Sequence, residues 1–420
     1  MSLGPWSRLV PLARDVTGGG PGRGKAGAAT GSYGTPVATP TLAQPGSCGA
    51  LLTSAEIGFK AARLAAALEA GLPVLPGWVV PVSAGRGAVE AGTGALRARG
   101  VGAGRVAVLG VAVEAGLERE LRAVVGELGG QVIVRSSSPL EGDAVWAGAF
   151  SSVAGVGRDD VVTAVRSCWA SAFAPDPLGR AEACGVAVEG LGLAVLVQPE
   201  IVPESGGVAR IEAGSGVVSV DGVLGHPGAL LSGWAEGARD EGLADLIGAE
   251  TVADVAGVAR RVYGELGDDV IEWAACDGQV WLLQSLRSAA PQDRATPPAP
   301  DGGTLVIGEP AAPGTGVGPL VRCRPHETVA RDCRDAVLLV DRPVPGLAPL
   351  LFGARGVIAR SGAASCHLAE VARSLGVPMV TACRADTVTG PDPAPGAWAA
   401  AVNGSTGAVT LLPATPNPSA

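Results

Sequence analysis

Residues 356–381 read GVIARSGAASCHLAEVARSLGVPMVT. Residues 355–360 form an apolar run with the length of a strand, and a Gly/Ala/Ser loop follows. His367, one of three histidines in the chain, then opens a helix-patterned run, LAEVARSL. A helix N-terminus presents free backbone N–H groups and the positive end of the macrodipole, so it favours an anionic group. An imidazole at that point can act as a nucleophile toward phosphorus, with the phosphoryl group it gains held by those N–H groups. The same residues also fit a polar helix start in a small sandwich.

The chain has 420 residues, enough for two or three domains with sizeable cores. Aromatic residues make up only 3%, so the cores are expected to be small aliphatics with a few Trp fillers. A net charge of −9 argues against a nucleic-acid-binding surface. No run of 18 apolar residues and no cleavable leader is legible, so neither a membrane span nor a signal peptide is expected. Eight scattered cysteines without C-x-x-C or metal spacing read as reduced, mostly buried thiols of a cytoplasmic protein.

Residues 1–50 are rich in Gly, Pro, Ala, Ser and Thr and read as a leader. Within it, residues 19–25 carry a G-x-x-x-x-G-K frame. Ala26 replaces the Ser/Thr that binds magnesium and no strand precedes it, so a P-loop is not expected. Gly58-Phe59-Lys60 then leads into AARLAAALEAGLPVLPGWVV. Leu64 and Leu68 give helical spacing, Gly71 ends the helix, Pro73 and Pro76 prevent its continuation, and residues 78–80 read as a strand. Lys60 is either a solvated charge or a phosphate ligand. Residues 84–129 carry helical patterning. Residues 132–138, VIVRSSS, read as a short strand ending in Arg135 and hydroxyls, placed to fork onto a phosphate or merely to cap a sheet edge.

Residues 193–198 read as a buried strand ending in Gln198, and His226, in a GHPG turn, reads as structural. Residues 268–284 give strand, Asp277-Gly278 turn, strand: a hairpin whose alternation puts Val270, Glu272 and Ala274 on one face. Residues 288–302 are a Pro/Ala/Asp-rich linker. His326 sits in a polar stretch and is expected to be exposed. Residues 336–341 form another strand, and 412–420 are a tail.

Several stretches together resemble the phosphoenolpyruvate synthase and pyruvate phosphate dikinase family. Residues 365–378, SCHLAEVARSLGVP, are similar to its phosphohistidine signature, T-[CS]-H-A-A-x-x-A-R-x-L-G-[IV]-P. Residues 58–80 resemble its opening segment, residues 132–138 its V-R-S-S segment, and residues 145–149 the S-F-A-G-Q that follows. The hairpin resembles its D-I-E-W-A…D-G…L-x-I-L-Q-A-R-P pattern, and residues 308–314 resemble the start of its phosphohistidine domain. The resemblance implies an α/β (α+β) chain. An ATP-grasp-like nucleotide-binding domain would span 51–287, and a small swivelling phosphohistidine domain 303–411.

It further implies His367 as covalent carrier, with Lys60, Arg135, Gln198 and Arg287 binding the nucleotide. Glu272 and Gln284, twelve residues apart as in the family, would hold Mg²⁺, a hard ion suited to oxygen ligands. ATP and Mg²⁺ are the implied cofactors. The acceptor is either a small molecule or one held by a separate acceptor-domain protein. Val270 stands where the family has Asp, and Leu286 where it has Arg. Asp269 and Arg287 lie one residue away, although a one-residue step on a strand reverses the side chain. These replacements keep open a degenerate nucleotide-binding module, and a carrier charged by a partner enzyme is the third reading. The 420 residues hold no counterpart of the family's phosphoenolpyruvate-binding barrel, so this chain is not expected to make phosphoenolpyruvate by itself.

Overall fold

The computed structural model describes residues 9–12, 53–212, 214–288, 302–324, 333–394 and 396–414. The Gly-rich frame at 19–25, most of the 288–302 linker and His326 lie outside them. Three sheets organise the described residues, and mixed helices and strands bear out the α/β class.

The first sheet is antiparallel, with β1 (Val10–Pro11), β2 (Trp78–Val80), β3 (Val132–Ser137), β4 (Ser152–Val156) and β5 (Ala194–Pro199) in the order β1-β2-β5-β3-β4. The second is also antiparallel. It holds β6 (Ser205–Ile211), β7 (Val218–Leu224), β8 (Ala238–Arg239), β9 (Val270–Cys276) and β10 (Gln279–Leu286) in the order β10-β9-β6-β7-β8. The helix Ser54–Glu69, kinked at Gly58, lies between them. Its Ile57, Ala61 and Leu64 share one core with Val79 and Leu196 of the first sheet, Ile271 and Trp273 of the second, and Val255 and Val262 of the helix Ala249–Leu266. The sparse aromatics act as fillers, with Trp146, Trp169 and Trp273 all buried.

The third sheet has eight strands: β11 (Thr304–Ile307), β12 (Glu309–Ala312), β13 (Thr315–Cys323), β14 (Val337–Val340), β15 (Gly356–Ala359), β16 (Met379–Thr381), β17 (Trp398–Asn403) and β18 (Ala408–Pro413). Strands β13 to β16 pair in parallel, and the helix His367–Leu375 is the crossover from β15 to β16. Leu368, Ala369, Val371 and Ala372 of that helix are fully buried. Burial of a Leu or Val side chain stabilises by about 1.5–3 kcal/mol, so His367 begins a rigid element.

Two expectations need correcting. Residues 10–11 of the leader add an edge strand to β2, with Leu9 and Leu12 buried beside it. The tail is shorter than expected, because β18 runs to Pro413 in register with Trp398. The strand expected over 132–138, ending in Arg135 and hydroxyls, is β3, which runs through Ser137 and pairs Arg135 with Leu196 and Ser152.

Candidate active site

Lys60, Arg135, Gln198, Glu272, Gln284, Arg287 and His367 all line one cavity between the first two sheets, with the third-sheet lobe closing one side. The fold thus gathers every site residue expected from the sequence. His226, expected to be structural, lines the same cavity.

The hairpin sets the acidic end. Asp277 and Gly278 have φ of 53° and 70°, the left-handed pair that a two-residue turn demands. Strict pairing from that turn would put Leu283 opposite Glu272. A bulge between Leu282 and Gln284 inserts one residue, so Gln284 faces Glu272 directly. The displaced Leu283 carbonyl accepts a hydrogen bond of 2.8 Å from Arg135 Nη1, tying the second sheet to the first. Glu272 is only 8% exposed, yet its carboxylate has no hydrogen bond or ion pair with any described residue. A buried carboxylate without donors is costly unless a cation joins it. Together with the Gln284 amide oxygen it fits a hard divalent ion that keeps waters and phosphate oxygens as its other ligands.

The cationic side is held by named partners. Lys60 Nζ donates to the Ser136 carbonyl at 2.9 Å and pairs with Glu141 at 3.1 Å, which leaves one ammonium proton for a ligand. Glu141 is itself fixed by a capping box, accepting from the Ser138 N–H at 2.7 Å. Burial pulls the Arg135 pKa below its usual value, opposed by the carboxylates of Glu272 and Glu141. Gln198 holds Arg135 from the other side: its Oε1 accepts from Nη1 at 3.4 Å while its Nε2 donates to the Leu75 carbonyl at 2.9 Å. Its amide thus orients the guanidinium. Arg287 lies just past β10, free of the strand's alternation. It reaches the cavity while its Nε donates to the Gly267 carbonyl at 3.0 Å.

His367 is half-buried at the cavity wall. Desolvation holds its pKa below the usual 6.5; Lys60 and Arg180 act in the same direction, against Glu272 and Glu141. The ring is therefore neutral at pH 7, the form with a lone pair to offer. The neighbouring Cys366 thiol is fully buried and its pKa is pushed up, so it remains a thiol.

Contacts across the lobes hold His367 in place. Ser374 Oγ donates to Asp143 at 3.1 Å, Arg180 Nη2 donates to the Pro345 carbonyl at 3.2 Å, Arg239 pairs with Glu309 at 3.0 Å, and Arg210 pairs with Glu370. Gly148 lies against the His367 ring. Its φ is +65°, and a Cβ there would sit 2.6 Å from His367 Cδ2. A Gly148→Ala variant should bind nucleotide normally but phosphorylate His367 about tenfold more slowly or worse, since the left-handed strain and the clash both oppose docking. Equal rates in rapid-quench measurements would show that Gly148 does not set the approach.

Val270 and Leu286, which the resemblance marks as departures, are cross-strand partners: Val270 on β9 faces Leu286 on β10. They pack with Val208 and Leu231. Asp269 adds no carboxylate to the cavity, because it accepts from the Ser288 N–H at 2.6 Å and does not line it. The two positions thus form one apolar cross-strand pair with no charge left unmatched. Val270→Asp alone should destabilise by about 3 kcal/mol, and adding Leu286→Arg should restore about 1 kcal/mol or more, as read by urea unfolding. Strict additivity of the two changes would refute the coupling.

Residues 54–237 match the pyruvate phosphate dikinase AMP/ATP-binding domain, and residues 333–407 match the mobile domain of PEP-utilising enzymes. The chain belongs to the phosphoenolpyruvate synthase and pyruvate phosphate dikinase family. The β9–β10 hairpin with Glu272 and Gln284 lies beyond the first matched span. Among relatives in this family, the chain is similar to a probable phosphoenolpyruvate synthase of Methanothermobacter thermautotrophicus, 26% identical over 294 residues, covering 59% of this chain and 43% of that one. A probable phosphoenolpyruvate synthase of Archaeoglobus fulgidus is 24% identical over 308 residues, covering 61% and 40%. A prodigiosin-synthesizing transferase of Serratia marcescens is 27% identical over 297 residues, covering 59% and 33%. The chain therefore spans less than half the length of the curated relatives it matches.

Proposed function

We propose that this chain is an ATP- and Mg²⁺-dependent phosphotransferase with His367 as its covalent carrier. The observation that carries the reading is the convergence of His367 with Lys60, Arg135, Glu272 and Gln284 on one cavity. Lys60 and Arg135 neutralise phosphate charge as it shifts in the transition state. Glu272 and Gln284 hold Mg²⁺, which supplies charge stabilisation on the phosphate oxygens. One imidazole nitrogen of His367 attacks the β-phosphorus while the other keeps its proton. The new N–P bond forms as the bond to the AMP oxygen breaks. With only the β-phosphoryl group retained, the γ-phosphate leaves as orthophosphate by hydrolysis.

The nucleotide-binding domain would comprise residues 51–287 with the edge strand at 10–11, and the carrier domain residues 303–413, with 288–302 as the linker. The contacts between them combine ion pairs, Arg239 with Glu309 and Arg210 with Glu370, with apolar packing of Phe352 and Leu375 on the first core. The acceptor is a small molecule or one held by a separate acceptor-domain protein, and the setting for this ATP-consuming chemistry is the cytoplasm. Among the described residues no helix is long and apolar enough to cross a membrane. The apolar Val270–Leu286 pair favours an intact site over a degenerate one, because it leaves Glu272 and Gln284 unobstructed. Incubation with Mg²⁺ and ATP labelled at the β-phosphate tests the reading. Acid-labile, alkali-stable label with one AMP released per label supports it. No label and no AMP from folded protein would eliminate self-phosphorylation.

A further inference from the structure

We propose that His226 is a neutral phosphate ligand of this cavity, donating its Nε2–H to the polyphosphate of a bound nucleoside triphosphate. The inference rests on the nucleotide-binding part of the reading above and not on phosphotransfer. Strand β7 ends at Leu224, and the loop that follows carries His226 onto the cavity face of the second sheet. Pro227 seats that loop. It lies over Gly206, where a Cβ would meet Pro227 Cδ at 2.6 Å. Gly206 pairs with Ala274, one of the cavity-lining residues, and the next rung on that face pairs Val208 with Glu272. His226 is thus placed beside the acidic end of the site.

The orientation of the ring is set locally. Gly228 N–H donates to Nδ1 at 3.0 Å, so the neutral ring must carry its proton on Nε2. No described residue accepts from that Nε2–H, and the residue is exposed rather than packed away. Desolvation, and then the Arg135 guanidinium, hold the His226 pKa below the usual 6.5, against Glu200 and Glu272. The ring is a donor without charge at pH 7. Such a donor adds to the grip on a polyphosphate without the desolvation cost of another buried cation. A turn that needed only its own cap would be served by Asn or Asp, whose side chains close the same kind of loop.

That comparison supplies the test. His226→Asn keeps an acceptor for the Gly228 N–H but removes the Nε2–H, whereas His226→Gln puts an amide donor near the Nε2 position. Equilibrium binding to the full chain is read with three probes: ATP–Mg²⁺, inorganic tripolyphosphate and adenosine. His226→Asn is expected to weaken ATP and tripolyphosphate about tenfold, the scale of one hydrogen bond to a charged group. Adenosine binding should be unchanged, and His226→Gln should recover part of the loss. If wild type binds ATP and His226→Asn binds it equally well, the inference falls and the nucleotide reading stands. A loss confined to adenosine would also overturn it, assigning His226 to the nucleoside. If folded wild type binds neither ATP nor tripolyphosphate, both readings fall together.

Discussion

His367→Ala should abolish retention of label from β-labelled ATP on the protein while leaving ATP–Mg²⁺ binding within about twofold of wild type. The loss is expected to be complete because the nucleophile itself is removed: His226, the other imidazole lining the cavity, has its Nδ1 lone pair taken by the Gly228 N–H, and Cys366 is buried as a thiol. Folding should survive, since His367 is half-buried and the anchoring residues of its helix are Leu368, Ala369, Val371 and Ala372. The pH profile gives an independent check. The folded pKa of His367 lies below 6.5, so the neutral ring predominates at pH 7 and persists as the pH falls through 6.5. The labelling rate of wild type should therefore hold roughly level from pH 8 to 6.5 and decline only below that. A rate that fell with a midpoint above 6.5 would mean that the ring is not desolvated in the reacting state. Residual wild-type-like labelling of His367→Ala would place the carrier elsewhere.

Much of this arrangement was legible in the sequence because local chemistry specified it. The Asp277-Gly278 pair dictates a two-residue hairpin, and the alternation around Glu272 dictates which residues of β9 face the ligand. The SCHLAEVARSLGVP segment places a histidine at a helix start. Other parts depend on what tertiary packing does to those local choices. Nothing in the run VWLLQSL marks the bulge between Leu282 and Gln284; without it Leu283 would oppose Glu272 and Arg135 would lose the carbonyl that anchors it. Glu141 escaped notice although Ser138-Pro-Leu-Glu141 is a readable capping box, because a cap gives no hint that its carboxylate also pairs with Lys60 from far along the chain. His226 looked like a turn residue, and it does cap its own turn; only the seating of Pro227 on Gly206 reveals the cavity on its other side. Residues 10–11 show no strand pattern among Gly and Pro, and their pairing comes from β2 offering a free edge. Sequence separation hides that Val270 and Leu286 are neighbours. Their cross-strand register makes them one apolar pair.

Glu272→Gln is expected to move activity and stability in opposite directions. In the absence of ligands the Glu272 carboxylate is 8% exposed and has no hydrogen-bond donor among the described residues. The isosteric amide removes that charge, so the variant without nucleotide or metal should be as stable as wild type or more stable by about 1 kcal/mol. Catalysis should suffer. The carboxylate is the one anionic ligand of the proposed metal pair with Gln284, and its loss should slow His367 phosphorylation by on the order of 10²–10³, the range for removing one preorganised electrostatic contact. Raising Mg²⁺ should recover only part of that, because a neutral amide binds a hard cation more weakly but keeps the same position. The same experiment discriminates a structural role from a functional one. If Glu272 served the fold, the amide would lower the unfolding midpoint and reduce activity only in proportion to the folded fraction. If it serves the metal, the unfolding midpoint without ligands rises or holds, while the stabilisation conferred by adding ATP–Mg²⁺ shrinks, since a ligand stabilises by an amount set by its affinity for the native state. A variant that labels His367 at the wild-type rate would remove Glu272 from the mechanism and leave its buried carboxylate without a physical account.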